Sequence, residues 1–206
     1  GYRDVTGRNP GERVILPSIG SGTITGVSGS TITDSSKTFP YSVVGYSVEI
    51  KRDGSLVGTY RVVSHSGGAL TLDQPVAATV RVGDTYQGVV RLDILNVRDG
   101  ARLETQDVIH VTTLMSGPGA LQRVHPNDVN YNPESYMGHI QAPLTRGDSL
   151  TMPNGYLTVT GPLRFATGSL TSRALLTHRS PTATTTGVLD LEVAGTLTID
   201  ATSSID

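Results

Sequence analysis

A pattern of apolar residues and glycine near the C-terminus occurs twice and restricts the folds open to this chain. The pattern is L-x-V-x-G-x-L-x-apolar, and its second copy begins 34 positions after the first (191 minus 157). Short strand units that repeat in this way are typical of folds whose units stack on one another, because a single unit cannot bury its own apolar row. We therefore predict β-solenoid coils. The two copies are Leu157, Val159, Gly161, Leu163 and Phe165, and Leu191, Val193, Gly195, Leu197 and Ile199.

A looser copy of the pattern runs through Leu95, Val97, Gly100 and Leu103. Alternate side chains of a strand point to opposite faces, so the apolar members of each copy are expected to point into the stack. The glycine is expected at a corner of the coil, where the backbone needs a positive φ. In the last copy this places Ile199 inside.

Composition agrees with an all-β chain. The 206 residues include 24 glycines, whereas aromatic residues make up only 5% and charged residues only 17%. This suits many short strands joined by tight turns, and no segment sustains the apolar spacing of three and four residues that a helix requires.

Turn signals and apolar alternation divide the chain into five segments. Strands separated by turns such as Asp53-Gly54 predict a small antiparallel barrel or sandwich, inserted in or preceding the coils. Several prolines, among them Pro126 and Pro143, predict a loop. The segments are a lead-in with the first strand (1–19), the antiparallel module (20–90), a solenoid coil (91–114), an irregular Pro-rich loop or insertion (115–148) and solenoid coils (149–206). Because the chain ends within the repeated pattern, we expect it to be a fragment whose coils continue beyond it.

Charge and residue usage argue against several classes of partner. The formal net charge is −2 and no segment concentrates basic and aromatic residues, so we expect no nucleic-acid binding. There is no cysteine, which excludes disulfides and thiolate chemistry. No apolar run approaches the roughly 20 residues of a membrane-spanning helix, so we expect no membrane insertion.

Candidate cofactor and metal residues lack the context that such sites require. Gly20, Gly22 and Gly26 follow a strand, but another strand follows them where a dinucleotide site needs a helix. A second group, within the predicted loop, has no established metal-ligand spacing. We expect no cofactor and no bound metal. The loop group is His125, Asp128, Glu134 and His139.

The tetrapeptide Arg146-Gly147-Asp148-Ser149 matches the sequence that adhesive loops present to integrins. It lies at the end of the predicted loop, where exposure is expected. The same three residue types also serve turns elsewhere in the chain, so a turn role is the alternative. We take Arg146, Gly147, Asp148, His125 and His139 as candidate binding residues.

The sequence shows no arrangement of residues that is typical of a catalytic site. No G-x-S-x-G turn is present. Cleavage of a carbohydrate would need two or three carboxylates on one sheet face, for which Glu104, Asp190 and Asp200 are candidates. We expect no catalytic residue.

Residues 193–206 read V-A-G-T-L-T-I-D-A-T-S-S-I-D and resemble coils of right-handed parallel β-helix regions in large exported bacterial surface proteins, including adhesin-like and haemagglutinin-like chains. The resemblance covers about residues 92–111 and 149–206. Residues 22–72, with G-T-I-T-G-V-S-G-S-T-I-T-D-S-S, look like small β-modules of phage tail and bacterial surface proteins.

The resemblance implies a non-catalytic structural or adhesive segment at the cell surface or outside the cell. Its partners would be a surface glycan or protein and the rest of the same polypeptide. The alternatives are a phage or injection-apparatus fibre, a carbohydrate-cleaving β-helix enzyme and a scaffold segment of a secreted toxin.

Overall fold

The computed structural model describes residues 2–6, 13–98, 100–116, 138–178 and 187–206. The chain is all-β, as predicted, and its described part has one short 3₁₀ helix, Tyr41–Val43. The chain divides into two compact units. Unit 1 comprises Gly1–Leu16, Leu92–Thr105 and Ile109–Asp206, and unit 2 comprises Pro17–Arg91 and Gln106–Val108.

The strands are short, in keeping with the frequent turn residues. In chain order they are β1 (Tyr2–Thr6), β2 (Arg13–Ile15), β3 (Ser21–Thr23), β4 (Gly26–Ser28), β5 (Thr31–Thr33), β6 (Ser47–Arg52), β7 (Ser55–Ser66), β8 (Ala69–Leu72), β9 (Thr85–Arg98), β10 (Arg102–Glu104), β11 (Val108–Met115), β12 (Gly138–Gln141), β13 (Thr145–Pro153), β14 (Tyr156–Thr160), β15 (Leu163–Thr171), β16 (Leu175–His178), β17 (Leu191–Val193), β18 (Leu197–Ile199) and β19 (Ser204–Ile205).

Unit 1 contains two parallel sets of strands. The longer strands have the order β17-β15-β13-β11-β9, with β1 beside β9 and β18 beside β15. The shorter strands have the order β19-β16-β14-β12-β10-β2. Consecutive strands from β9 to β16 alternate between the two sets, so the chain returns to each set after every second strand. Thr145 therefore pairs with Leu163, 18 positions later, and Leu157 pairs with Leu176, 19 positions later.

Apolar side chains stack in register on the buried face of these strands. Leu103 pairs with Ile140 and Ile140 pairs with Val159, and all three are almost fully buried. Burying a side chain of this size contributes about 1.5–3 kcal/mol, so the column is a main source of stability in unit 1. Since parallel strands need long connections, each apolar contact joins residues that are distant in the sequence.

The pairing of three longer strands is interrupted at the same level. The pairing of β11, β13 and β15 skips one residue in each strand, and these residues are all exposed. On the other side of β15 the partner is divided in two, because β15 pairs first with β17 and then with β18. The skipped residues are Thr112, Asp148 and Ala166.

Unit 2 is an antiparallel sheet with the order β3-β9-β6-β7-β8-β5-β4. Its core lies on one face and includes Val48, Ile50, Val62 and Leu70. The predicted turn joins β6 to β7, and Asp53 and Gly54 both have positive φ, as two-residue hairpin turns require. In the described residues the end strands β3 and β4 form no ladder with each other, so the predicted barrel is not closed.

The prediction of an irregular loop over residues 115–148 is wrong at both ends. Met115 is the last residue of β11. All of β12 and the first four residues of β13 lie within residues 138–148. Pro143 does not prevent these strands because it lies between them, where no ladder donor is needed. Residues 117–137 lie outside the described part.

The 34-residue repeat does not correspond to the structural period. Leu191 and Val193 pair with Leu163 and Phe165, so the first half of the second copy stacks on the second half of the first copy. Gly161 has a φ of 103° at a corner between β14 and β15, as predicted, but Gly195 has no positive φ and lies between β17 and β18. The register depends on the number of residues between paired strands and on the burial of their side chains, which the letter pattern alone does not encode.

Not all of the apolar residues that were predicted to point into the stack are buried. Leu157, Val159, Leu163 and Phe165 are buried, whereas Ile199 is 42% exposed. Ile199 is in β18, which pairs with β15 alone among the described strands, so only one side of it is covered.

Candidate functional site

The tetrapeptide at 146–149 is part of a strand and not of a loop. Arg146 and Gly147 pair with His110 and Val111 of β11 on one side, and with Arg164 and Phe165 of β15 on the other. A Cβ at position 147 would clash with the Val111 carbonyl oxygen, so the glycine is required by the close approach of the strands. Of the three candidate residues, only Asp148 is exposed. The prediction of an exposed adhesive loop here is wrong.

Only one of the two candidate histidines lies in the described part of the structure. His139 lies in β12, is 8% exposed, and its backbone N–H donates to the Ala101 carbonyl. It is therefore part of the packed strand set and not of an exposed loop. His125 lies outside the described residues, as do Asp128 and Glu134. Within the described ranges no three His, Cys, Asp or Glu residues are close enough to hold a metal ion.

The three candidate carboxylates of unit 1 have separate partners. Glu104 in β10 pairs with Arg13 and lies 3.6 Å from the Arg102 guanidinium. Asp190 pairs with Arg164 at 2.7 Å. These guanidinium groups hold the pKa values of Glu104 and Asp190 below their usual range.

Asp200 binds the turn at Ser172 and Arg173, which follows β15. Its carboxylate accepts hydrogen bonds from the Ser172 and Thr202 backbone N–H groups and from the Thr202 and Ser203 hydroxyls. These donors hold the pKa of Asp200 well below its usual value. Ser172 and Arg173 both have positive φ, so the side chain stabilises a turn that the backbone alone disfavours. Its role is structural.

A hydrogen-bonded group of polar side chains around the buried Asp34 and Tyr86 lies in unit 2, where no sequence motif indicated a site. Asp34 is 3% exposed and accepts a 2.7 Å hydrogen bond from the Tyr86 hydroxyl. Its other oxygen accepts from the Ser36 N–H and hydroxyl. The Lys37 ammonium lies 5.5 Å from the centre of the Tyr86 ring and donates to the Ser21 carbonyl. We call Asp34, Ser36, Lys37 and Tyr86 the Asp34 cluster.

Two glycines make room for this cluster. A Cβ at Gly22 would lie 2.3 Å from Asp34 Oδ2 and 2.5 Å from the Tyr86 hydroxyl. A Cβ at Gly20 would lie 3.1 Å from Lys37 Nζ. Two of the three glycines considered for a dinucleotide loop, Gly20 and Gly22, thus lie against polar side chains. Gly22 is in β3 and Gly26 begins β4, and no helix starts at either position.

The Asp34 cluster is not arranged for proton transfer at neutral pH. Burial and the neighbouring Asp34 carboxylate raise the pKa of Tyr86 far above its usual value, so the phenol keeps its proton. The Ser36 and Tyr86 donors lower the pKa of Asp34 although burial opposes them, so the carboxylate stays ionised. A hydroxyl and a carboxylate with pKa values moved apart in this way form a fixed hydrogen bond.

A second buried carboxylate of unit 2 belongs to an ion pair. Asp84 is 4% exposed, and its two oxygens accept 2.8 Å hydrogen bonds from Arg52 Nε and Nη2. The Arg81 backbone N–H donates to the same group, and together these donors lower its pKa. The pair joins β6 to the turn before β9.

A third carboxylate, Asp107, has no exposed surface. It accepts hydrogen bonds from the backbone N–H groups of Ile19, at 3.0 Å, and Gly20, at 2.6 Å. Burial outweighs these donors and raises its pKa to about 6. The charge of Asp107 therefore changes closer to neutral pH than that of an ordinary aspartate.

The comparisons with known proteins identify no relative: no family model, no curated protein and no solved structure matches this chain. Among the described residues, no helix is long and apolar enough to span a bilayer.

Proposed function

We propose that this chain is a non-catalytic structural or adhesive segment of a large exported surface protein. In this proposal unit 1 is a right-handed parallel β-solenoid that serves as a stiff scaffold. Unit 2 is an antiparallel module that the scaffold presents to a surface glycan or protein. The location would be the cell surface or the extracellular medium.

The observation that carries the scaffold proposal is the repeated return of the chain to the same parallel strands. From β12 to β16 the return takes 18 or 19 positions, with every pair parallel and in register. In a solenoid each coil contacts its neighbours and the ladders continue from coil to coil. The common interruption of pairing at Thr112, Asp148 and Ala166 supports a coil with more than two faces.

The environment of the carboxylates supports a non-catalytic role. Glycoside cleavage uses two carboxyl groups on opposite sides of one bond, about 5–9.5 Å apart. Glu104, Asp190 and Asp200 instead serve three different interactions, with arginines for the first two and with backbone donors for the third. This arrangement supports a scaffold over a carbohydrate-cleaving enzyme.

The test is a glycan array combined with a cleavage assay on a panel of neutral and acidic polysaccharides. We expect retention of one glycan class without cleavage, and we expect Glu104→Gln to leave the cleavage background unchanged. Turnover that disappears in Glu104→Gln or Asp190→Asn would overturn the proposal in favour of an enzyme. A trimer that persists on dilution would favour a phage or injection-apparatus fibre.

A further inference from the structure

Three basic side chains of unit 1 lie next to one another on its shorter strands. Arg13 of β2 pairs with Arg102 of β10, and Arg102 pairs with His139 of β12. Paired residues of neighbouring strands are about 4.8 Å apart, so the three form a column across the ladder. Leu103, the next residue of β10, is fully buried, so alternation places the column on the opposite face of the strands. We call Arg13, Arg102 and His139 the basic column.

Exposure decreases along the basic column. The side chain of Arg13 is 59% exposed and that of Arg102 is 36% exposed, whereas His139 is 8% exposed. The column therefore has one end that solvent reaches and one end that is enclosed. A ligand that enters at Arg13 would contact Arg102 next.

One carboxylate serves both guanidinium groups of the column. Arg13 Nη2 donates to Glu104 Oε2, whereas Glu104 Oε1 lies 3.6 Å from Arg102 Nη2, which is beyond hydrogen-bond distance. The hydrogen bond from Arg13 is the main cause of the lowered pKa of Glu104, and the charges of the basic column act in the same direction, although burial opposes them. Among the described residues, Glu104 is the only carboxylate within ion-pair distance of either guanidinium group. Two positive charges therefore share one negative charge.

Arg102 also has a buried donor that the protein does not use. Its Nε–H is shielded from solvent and has no hydrogen-bond partner among the described residues. A buried N–H without a partner is costly, and folded proteins pair nearly all such groups with protein, water or an ion. Nε and one Nη of a guanidinium form a planar fork that matches two oxygens of an oxyanion such as a carboxylate or a phosphate. Because Glu104 approaches Arg102 at Nη2, and only to 3.6 Å, it leaves this fork accessible to a second oxyanion.

The neighbouring residues on the same face suit a sugar. Ile15 is two positions after Arg13, about 6.6 Å along β2, and is 62% exposed. Gln141 of β12 pairs with Glu104 and is also exposed. The aliphatic side chain offers contact to the C–H groups of a sugar ring, and the amide both donates hydrogen bonds to hydroxyls and accepts them. An acid group attached to the ring would then reach the guanidinium groups.

We propose that the basic column is a binding site for an oxyanion, in which the Arg102 fork and the exposed Arg13 guanidinium hold a carboxylate, sulfate or phosphate group. A free inorganic anion and the acid group of a saccharide share this chemistry. Ile15 and Gln141 favour the saccharide, and this choice of source rests on the proposed contact with a surface glycan. The oxyanion site itself does not depend on that proposal.

The experiment is an NMR titration of the full chain with sodium sulfate at constant ionic strength, followed through the Nε–H resonances of the arginines. We expect a saturable shift of the Arg102 resonance. Arg102→Lys keeps the charge but loses the fork, and we expect it to bind sulfate about tenfold more weakly, with the Arg13 resonance as the reporter. Arg173→Lys makes the same change at an exposed turn of unit 1 and is expected to bind sulfate as the wild type does.

A shift that does not saturate, or that has the same midpoint in Arg102→Lys as in the wild type, would overturn the proposal, because it would show charge screening and an adventitious ion only. If Arg102→Lys does not fold, Arg13→Gln replaces it, since the Arg13 side chain is largely exposed. We expect Arg13→Gln to weaken sulfate binding about tenfold, through the loss of a charge-assisted contact. Unchanged binding in Arg13→Gln would overturn the proposal equally.

The source of the oxyanion is distinguished by the same titration with a disaccharide that contains glucuronic acid and with its neutral glucose counterpart. We expect the acidic disaccharide to saturate the Arg102 resonance at a lower concentration than sulfate, and the neutral one to leave it unshifted. Equal midpoints for sulfate and the acidic disaccharide would assign the site to a free anion. A shift with the neutral disaccharide would overturn the oxyanion site.

The proposed function fails or stands on separate results. If a neutral glycan is retained on the array and no anion binds at Arg102, the oxyanion site is overturned and the contact role stands. If saccharide turnover depends on Glu104 or Asp190, the scaffold proposal is overturned, whereas saturable sulfate binding would still support the oxyanion site.

Discussion

At the scale of single residues, glycine and buried polar side chains depend on each other in unit 2. The Asp34–Tyr86 hydrogen bond occupies the space where a side chain at position 22 would lie. Buried polar groups are stable only when they are paired, and here the pairing requires a missing Cβ on a neighbouring strand. Gly22 is therefore needed for packing, since its φ is not positive.

Gly22→Ala is expected to destabilise unit 2. The new methyl group would overlap Asp34 Oδ2 and the Tyr86 hydroxyl, and overpacking of this kind costs about 1–3 kcal/mol. Gly26→Ala is the control, because a Cβ there meets Thr33 at ordinary contact distance. Chemical unfolding of both variants checks the prediction. Equal stability of the two would show that the Asp34 cluster adjusts without cost.

At the scale of elements, register decides what a motif does. Arg146-Gly147-Asp148 has the letters of an exposed recognition tripeptide, but Arg146 and Gly147 pair with β11 on one side and with β15 on the other. Ser149 Oγ of the same strand donates to Thr113 Oγ1 at 3.0 Å, so hydroxyls also stack along the ladder. A strand with a neighbour on each side cannot insert its backbone into a receptor.

This register predicts the outcome of cross-linking in a chain that has no cysteine of its own. Neighbouring strands lie about 4.8 Å apart, within the Cα separation that a disulfide spans. We expect Thr113→Cys with Ser149→Cys to form a disulfide on mild oxidation, detected by mass and by gel mobility without reductant.

The matched control pairs Thr113→Cys with Thr167→Cys. Residues 113 and 167 both pair with Ser149, on opposite sides of β13, so they are about 9.5 Å apart. This is too far for an intramolecular disulfide. Closure of the control, or failure of the first pair, would contradict the parallel register of β11, β13 and β15.

At the scale of the whole molecule, most of the shifted carboxylates make both units sensitive to strong acid. The pKa values of Asp34 and Asp84 in unit 2, and of Glu104, Asp190 and Asp200 in unit 1, are all lowered by hydrogen bonds or ion pairs. A carboxyl group whose pKa is lower in the folded state contributes stability above its unfolded pKa, and that stability is lost on acidification. Asp107 acts in the opposite direction.

We therefore expect the denaturant midpoint to fall as the pH is lowered from 5 to 3, because the five lowered carboxyl groups take up protons on unfolding in this range. Equilibrium unfolding followed by hydrogen exchange resolves the two units. Added salt should reduce the loss in unit 1, where the Arg164–Asp190 pair is partly exposed. A midpoint that is constant from pH 5 to pH 3 would contradict this assignment.

The features of the fold that follow from the sequence alone are local ones. Apolar alternation and turn residues predicted an all-β chain, the hairpin at Asp53-Gly54 and the corner at Gly161, because each depends on the conformational preferences of adjacent residues.

Only the tertiary structure decided which strands are neighbours. Leu103 pairs with Val14, 89 positions earlier, and Asp107 binds Gly20 across 87 positions. Such pairings depend on the spacing of the paired strands along the chain and on the burial of whole faces, which no short pattern specifies. For that reason the 34-residue repeat predicted the wrong period, the tripeptide at 146–148 was assigned to a loop, and the hydrogen bonds of Asp107 with Ile19 and Gly20 had no signal in the sequence.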